Sequence, residues 1–177
     1  ISQAEHRVSG QQSTSVSHMH MSATVVVLCI DPEQGRALWA HWGDSRLYWF
    51  RAGRMHLRTE DHSLVQQLLH AGLYEENDPR RLPNRNVLAG AIGAEGQVPP
   101  SIRADAVALE AGDVFLLCSD GLWEGMHESE MEQLLAASQR PDEWIQRMVG
   151  RVVSSGNPHQ DNLSALTVWI CPRETND

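Results

Sequence analysis

Positive charge is scarce in this 177-residue chain. Its 14 basic side chains are outnumbered by 23 acidic ones, and the formal net charge at pH 7 is −9. A protein that binds a nucleic-acid backbone or an anionic membrane surface needs the opposite balance. The composition therefore argues against nucleic acid and against membrane as partners, and it favours an acidic, solvated surface.

Long apolar runs and paired cysteines are also missing. The longest apolar run covers residues 23–30, is interrupted only by Thr24 and is too short to span a bilayer. Cys29, Cys118 and Cys171 occur in or beside apolar runs without CxxC spacing, which is typical of small buried side chains in a reducing compartment. We therefore expect a cytoplasmic protein.

No stretch of the chain has the composition of an interdomain linker, and its length suits one hydrophobic core. We therefore expect a single domain over residues 1–177, in which residues 1–20 form a polar arm or the end of a helix. Strand patterns come first, and helix patterns are interleaved with them later and predominate after Trp123. That order predicts an α+β fold rather than an alternating parallel sheet.

Apolar segments predict the strands. The β-branched run 23–30 is typical of a central buried strand, and residues 114–117 predict a strand that is buried on both faces. Residues 36–57 predict an antiparallel meander of three strands, with a bulge or bend at Gly43-Asp44. Further strands are predicted within residues 87–92, 102–109 and 163–170.

Apolar spacing and capping residues predict the helices. Residues 64–69 have one apolar helical face, and Gly72 closes that helix. Ser129 begins a capping-box pattern that predicts the start of a second helix. Pro141 suits the first position of a third helix, which Gly156 ends.

Three acidic residues stand at predicted strand junctions: Asp44, Asp120 and Asp161. If the strand before Asp120 and the strand after Asp161 are antiparallel neighbours, their carboxylates converge. Two carboxylates in a partly buried site stay ionised together only with a cation between them, and oxygen ligands select Mg²⁺ or Mn²⁺ rather than Zn²⁺. A solvated turn residue is the alternative for Asp44 and for Asp120 taken singly.

Six short motifs occur along the chain between residues 21 and 164. They are Met21-Ser22-Ala23-Thr24-Val25, Gly43-Asp44-Ser45-Arg46, Thr59-Glu60-Asp61-His62-Ser63, Leu88-Ala89-Gly90-Ala91-Ile92-Gly93, Cys118-Ser119-Asp120-Gly121-Leu122-Trp123 and Asp161-Asn162-Leu163-Ser164. In order and spacing they resemble the motifs of the metal-dependent serine/threonine phosphatases of the bacterial PP2C (PPM) family. The resemblance implies a sandwich of two antiparallel sheets flanked by helices, in an α-β-β-α arrangement. It also implies hydrolysis of phosphoserine or phosphothreonine in proteins by a water that bridges two metal ions.

The resemblance also implies the metal ligands. Asp120 and Asp161 correspond to the ligands of the first ion, and Asp44 to a ligand of a third, looser ion that it shares with Asp120. Glu124 stands where many relatives have an aspartate of that third site. The complete domain is expected to hold two or three Mn²⁺ or Mg²⁺ ions and to act on phosphorylated proteins, the products of a serine/threonine kinase.

The family's opening segment, with its Asp-Gly-x-Gly-Gly motif, does not occur in this sequence. We therefore expect an N-terminally incomplete domain, with the bridging aspartate, the phosphate-binding arginine and the general acid upstream of Ile1. The alternative is a catalytically silent relative that binds a phosphoprotein or a kinase. The sequence predicts neither the oligomeric state nor the substrate protein.

Residues 72–86 form an irregular excursion where the family has a flap. Arg80, Arg81 and Arg85 are candidates to bind the phosphopeptide, and idle solvated arginines are the alternative.

Four aromatic residues on the early strands form either a ligand-binding face or part of the core. Strand aromatics pack across strands more often than they bind ligands, so we expect core packing. These residues are Trp39, Trp42, Tyr48 and Trp49.

Overall fold

The computed structural model of the protein describes residues 1–13, 21–74, 78, 80, 82–94 and 98–172. No helix in this part of the chain is long and apolar enough to cross a membrane. The helices are α1 (Ser2–Gln12), α2 (Leu64–His70), α3 (Asp120–Trp123), α4 (Glu128–Ala136) and α5 (Pro141–Ser154). The strands are β1 (Val25–Asp31), β2 (Arg36–Trp42), β3 (Arg46–Arg51), β4 (Arg54–Arg58), β5 (Ser101–Ile102), β6 (Val107–Ala108), β7 (Val114–Cys118) and β8 (Ala165–Trp169).

The chain divides into two compact units. The first unit contains Ile1–Val27, Trp39–Ser45 and Glu60–Ala104, and the second contains Leu28–Leu38, Arg46–Thr59 and Asp105–Asp177. The expectation of a single domain stays a prediction.

The second unit contains a four-stranded antiparallel sheet in the order β4-β3-β7-β8. Strand β7 lies inside this sheet, and Val114, Phe115 and Leu116 are buried, so the predicted strand with two covered faces is confirmed. Helix α5 packs on the sheet because its apolar residues recur every four positions. The resulting core includes Trp144, whose ring meets the ring of Phe50 edge-on at a centroid distance of 5.4 Å.

The other sheet has the order β1-β2-β5, and β6 also pairs with β2. The prediction of a central buried strand at residues 23–30 is therefore wrong, because β1 lies at one end of this order and its residues alternate between half-buried and exposed. A β-branched composition predicts a strand but not its neighbours, which are set by distant parts of the chain.

The predicted meander is also wrong in part. Strand β3 pairs with β4 as expected, but β2 belongs to the other sheet. The chain leaves β2 through a bend at Gly43, whose φ is +113°. A Cβ atom on Gly43 would lie 2.4 Å from Cγ2 of Thr24, so the bend requires glycine here.

The strands predicted between α2 and β7 are longer than those that the structure contains. Residues 87–92 contribute only isolated bridges, at Leu88 and Ile92, and the run 102–109 supplies only the two-residue strands β5 and β6. The predicted last strand is confirmed as β8.

The helix predictions hold, with one shifted start. Helix α2 begins after Ser63, whose side chain accepts a hydrogen bond from the amide of Gln66. Gly72 follows the helix with a φ of +70°, as its closing position requires. Helix α4 begins two residues earlier than predicted, since His127 is the N-cap and its amide donates to the carboxylate of Glu130.

At the start of the chain, residues 2–12 form α1, and residues 14–20 of the predicted polar arm lie outside the described residues. No residue of α1 is buried, but Gln12 holds the helix to its unit. The side-chain nitrogen Nε2 of Gln12 donates to the carbonyl oxygens of Met21 and Gly93, at 2.7 and 2.6 Å.

Trp39, Trp42, Tyr48 and Trp49 are all buried, at 8% exposure or less. Core packing is thereby confirmed for these aromatic residues, and the idea of a ligand-binding aromatic face is wrong.

The ion pair of Arg51 with Asp113 predicts a large stability effect. Asp113 is buried, and its carboxylate accepts hydrogen bonds from Nε and Nη2 of Arg51 at 2.8 and 2.7 Å and from the amide of Glu110 at 2.9 Å. Burial by itself would raise the pKa of Asp113, but these hydrogen bonds outweigh burial and lower it. Asp113→Asn should therefore lower the free energy of unfolding by about 3 kcal/mol at neutral pH, measured by urea denaturation.

A lowered carboxyl pKa stabilises the fold above the unfolded-state pKa, and this stabilisation is lost as the pH falls through the folded-state pKa. The difference between wild type and Asp113→Asn should therefore shrink in acid. Glu143→Gln, in an exposed pair with Arg147, is the control and should change little. Equal effects of the two substitutions would contradict the prediction.

Candidate metal centre

Strands β7 and β8 bring two of the predicted acidic residues to one end of a sheet. The strands are antiparallel neighbours, as the sequence predicts, and Cys118 lies opposite Ala165. Asp120 follows the end of β7 as the first residue of α3, and Asp161 lies in the segment that leads into β8. The two acidic residues therefore belong to facing ends of one strand pair.

Hydrogen bonds beyond the strands continue this pairing. The amide of Ser119 donates to the carbonyl of Ser164, and the amide of Ser164 donates to Oγ of Ser119, both at 3.0 Å. The side-chain amide of Gln160 donates to the carbonyl of Gly121 at 2.7 Å. These bonds fasten the segment that carries Asp161 to the start of α3.

Gly121 permits this close approach. A Cβ atom at position 121 would lie 2.3 Å from the carbonyl oxygen of Asn162 and 3.0 Å from that of Asp161. Any larger side chain would push the two backbone segments apart, so the glycine sets how closely the two acidic residues can lie.

Each of the two carboxylates is held by the backbone amide of the next residue. The amide of Gly121 donates to Oδ1 of Asp120 at 2.9 Å, and the amide of Asn162 donates to Oδ1 of Asp161 at 2.7 Å. These bonds engage one oxygen of each side chain and fix its orientation.

The neighbouring acidic residues change the pKa of Asp120. Burial raises the pKa of Asp120, and the negative charges of Asp161 and Glu124 raise it further, against the opposing hydrogen bond from Gly121. Glu124 caps the C-terminus of α3, where its amide donates to the carbonyl of Asp120 at 2.9 Å. A divalent cation would relieve this repulsion.

The ligand set within the described ranges is nevertheless sparse. No group of three or more histidine, cysteine, aspartate or glutamate residues is placed there to hold a metal ion. The structure brings Asp120, Asp161 and Glu124 close enough to interact electrostatically, but it does not arrange them as a closed set of ligands.

The remaining candidate residues lie in the first unit. Asp44 is half-buried in the bend after β2, and its share in an ion with Asp120 stays a prediction. Arg80 is largely buried, and its side chain pairs with Asp78 at 3.4 Å. Arg85 is exposed in a turn, whereas Arg81 lies outside the described residues. The flap at residues 72–86 also stays a prediction.

Two of the residues that build this site were missed in the sequence. Gln160 bonds the backbone of both acidic segments, since its side chain also donates to the carbonyl of Asp161 at 3.1 Å. Ser119 directly precedes α3, and its hydroxyl group bonds to the segment before β8. Both are adjacent to a candidate aspartate, and Ser119 also belongs to one of the six motifs. Their hydrogen bonds join segments about 40 positions apart, which no periodic pattern in the sequence indicates.

Comparison with known sequences gives a consistent result. The sequence model of the family described as Stage II sporulation protein E (SpoIIE) matches residues 1–169. A Listeria innocua protein named serine/threonine phosphatase stp is 36% identical over 135 residues, which are 76% of this chain and 52% of that protein. The chain thus spans about half the length of this curated relative.

Solved structures share the fold. The serine/threonine phosphatase of S. agalactiae has a TM-score of 0.81 and 27% identity, over 95% of this chain and 66% of that chain. PppA of Pseudomonas aeruginosa, described as a key regulatory component of T6SS, has a TM-score of 0.76 and 32% identity, over 93% of this chain and 64% of that chain. The predicted α+β fold with two antiparallel sheets and flanking helices is confirmed.

The close approach at Gly121 predicts that Gly121→Ala lowers the free energy of unfolding by about 1–3 kcal/mol, because the added methyl group collides with backbone atoms rather than with a movable side chain. Gly150→Ala is the matched control, since that glycine lies inside α5 with nothing within 4 Å of the added carbon. The control should gain about 0.5–1 kcal/mol. Thermal or urea unfolding of both variants checks this, and a neutral Gly121→Ala would contradict it.

The raised pKa of Asp120 predicts that Asp120→Asn stabilises the metal-free chain. Ionisation of this carboxyl group disfavours the folded state, so the stability that is present while the group is protonated is lost as the pH rises through its folded-state pKa. The neutral asparagine avoids this loss and can still accept the Gly121 amide.

The unfolding midpoints of Asp120→Asn and wild type in chelator should therefore differ most at neutral pH and converge in acid. Asp142→Asn is the control, because the hydrogen bond from Arg140 lowers the pKa of Asp142 and the substitution should bring no gain. A metal-free Asp120→Asn protein that is less stable than wild type at neutral pH would show that the repulsion is unimportant.

Proposed function

The chain belongs to the bacterial PP2C (PPM) family of metal-dependent serine/threonine phosphatases, and on this premise we propose that the protein hydrolyses phosphoserine and phosphothreonine in other proteins. The observation that carries the proposal is the convergence of Asp120 and Asp161 at the paired ends of β7 and β8. The relative from Listeria innocua and the structural neighbour from S. agalactiae are themselves named serine/threonine phosphatases, which supports the enzyme over a silent binding module.

The residues fit a hard divalent cation, Mn²⁺ or Mg²⁺. Asp120, Asp161 and Glu124 offer carboxylate oxygens, which such ions prefer, and the raised pKa of Asp120 reflects a repulsion that a cation removes. When bound, the ions of such a site neutralise the phosphate and lower the pKa of a water molecule. We propose two or three ions for the complete domain, with Asp44 as a further ligand.

The chain's own residues orient the ligands. The amides of Gly121 and Asn162 each hold one oxygen of the adjacent aspartate, so each carboxylate keeps a defined orientation. Gln160 fixes the spacing between the two backbone segments. Preorganised ligands of this kind lose little conformational freedom when the ion and its substrate bind.

The proposed substrates are proteins phosphorylated by a serine/threonine kinase, in the cytoplasm. We propose that residues 72–86 act as the flap over the substrate and that Arg85 and Arg81 bind its phosphate or flanking residues. Arg80 is a weaker candidate, because Asp78 already engages its guanidinium group.

The 177 residues alone supply too few metal ligands for full activity. A hard cation takes about six oxygen ligands, and the described residues offer no group of three acidic, histidine or cysteine ligands. We expect weak Mn²⁺ binding and poor hydrolysis from this chain, and metal-dependent turnover from a protein extended at its N-terminus to the length of the relatives. The loss in the short chain should be on the order of a thousandfold, since several kcal/mol of transition-state stabilisation are missing.

The test is hydrolysis of a phosphothreonine peptide by both proteins, with Mn²⁺ and with chelator. Asp120→Asn and Asp161→Asn in the extended protein should abolish turnover, whereas Asp142→Asn, an exposed acidic residue in α5, should leave it unchanged. Full chelator-sensitive turnover by the short chain would show that no further ligands are needed. An extended protein without activity that still binds phosphopeptides would favour the binding module.

A further inference from the structure

Arg46, the last residue of the Gly-Asp-Ser-Arg motif, is a buried cation that contacts the short helix α3, which begins at Asp120. It begins β3, pairs with Cys118 of β7 and has a side chain that is 1% exposed. Its guanidinium carbon lies 3.4 Å from the centroid of the Trp123 ring, and Nη1 donates to the hydroxyl oxygen of Tyr48 at 3.0 Å. This side chain cannot reach a substrate through solvent, so its role concerns its neighbours.

Burying a charged group costs free energy. The residues around Arg46 offset this cost with contacts that fit only the planar guanidinium group of arginine. The planar guanidinium lies over the indole face, while Glu128 approaches Nη1 at 3.9 Å. A lysine ammonium has the same charge but no plane to stack. The environment therefore selects a flat cation at one fixed position.

The partner of that stack belongs to the turn that carries the acidic residues. Helix α3 contains only Asp120–Trp123, and Glu124 follows it directly. A helix of one turn is unstable by itself, so its orientation depends on the burial of its side chains. Trp123 is one of these buried side chains, at 2% exposure. A tilt of its indole ring would move the carboxylates of Asp120 and Glu124.

We propose that Arg46 is a positioning residue, whose stack on Trp123 fixes the turn from Asp120 to Glu124 and thereby sets the affinity of these carboxylates for a divalent cation. The inference rests on the proposed function, because it presupposes that the carboxylates bind a cation. Arg46 itself touches neither the ion nor the substrate in this assignment.

The test is titration of the metal-free chain with Mn²⁺, in which free Mn²⁺ is followed by its electron paramagnetic resonance signal. Arg46→Lys keeps the charge and loses the plane, and Arg46→Met keeps an unbranched, flexible side chain and loses the charge. Arg51→Lys is the matched control, since Arg51 ends the same strand, lies over Trp49 at 4.6 Å and forms its ion pairs with Glu110 and Asp113. Unfolding in chelator is measured for every variant.

We expect both Arg46 variants to weaken Mn²⁺ binding on the order of tenfold at temperatures where the chain is fully folded. Arg51→Lys should lose stability but keep the wild-type Mn²⁺ affinity within about twofold. A purely structural role for Arg46 would lower the unfolding midpoint and leave the affinity of the folded protein unchanged. That result would overturn the proposal.

A double-mutant cycle shows whether Arg46 acts through Trp123. If it does, Arg46→Lys should weaken Mn²⁺ binding little further in a Trp123→Leu background, because contacting residues are not additive. Additive losses would overturn the proposed route. If the Arg46 variants do not fold, Trp123→Phe replaces them, because phenylalanine keeps a ring that attracts the cation more weakly. An unchanged Mn²⁺ affinity in that variant would also overturn the proposal.

Asp120→Asn separates this inference from the proposed function. Mn²⁺ binding that Asp120→Asn abolishes and Arg46→Lys preserves would overturn only the positioning role. Wild-type protein, short or N-terminally extended, that binds no more Mn²⁺ than Asp120→Asn would overturn the metal centre and the positioning role together.

Discussion

The pairing of β7 with β8 is the constraint on which the candidate site depends. Because the strands are antiparallel, the segment that follows β7 and the segment that precedes β8 must meet, and each of these segments carries an aspartate. The fold thus places like charges together, at a cost that burial of Asp120 increases. The stability of the surrounding core keeps these like charges together, and a bound cation would offset their repulsion.

The core beneath the site supplies that stability. Strands β3 and β7 contribute Tyr48, Phe50 and Leu116 to a cluster that α4 and α5 complete with Met131 and Trp144. The polar connections around it also join different elements, as where Glu132 of α4 accepts hydrogen bonds from the amide of Met55 and the side chain of Arg54. A turn as short as α3 can hold an unfavourable charge because it is attached to this framework and not because of its own hydrogen bonds.

Local patterns predicted the features that depend on neighbouring residues. The apolar run before Asp120, the glycine that closes α2 and the glycine bend after β2 all follow from short-range chemistry, and the structure contains each of them. The position of β1 at the end of its sheet could not be predicted, since strand order depends on contacts between distant segments. The same holds for Gln160 and Arg46, whose partners lie 39 and 77 positions away, at Gly121 and Trp123.

The basic residues of the chain show how this framework accommodates positive charge that is buried or half-buried. All 14 are arginines, and the two at the ends of β3, Arg46 and Arg51, both lie over tryptophan rings. A guanidinium is more weakly hydrated than an ammonium and attracts the π face of an indole, so it loses less when water is removed. In an acidic chain whose fold brings Asp120 and Asp161 to one strand pair, these stacked guanidinium groups add positive charge at fixed positions, buried at Arg46 and half-buried at Arg51.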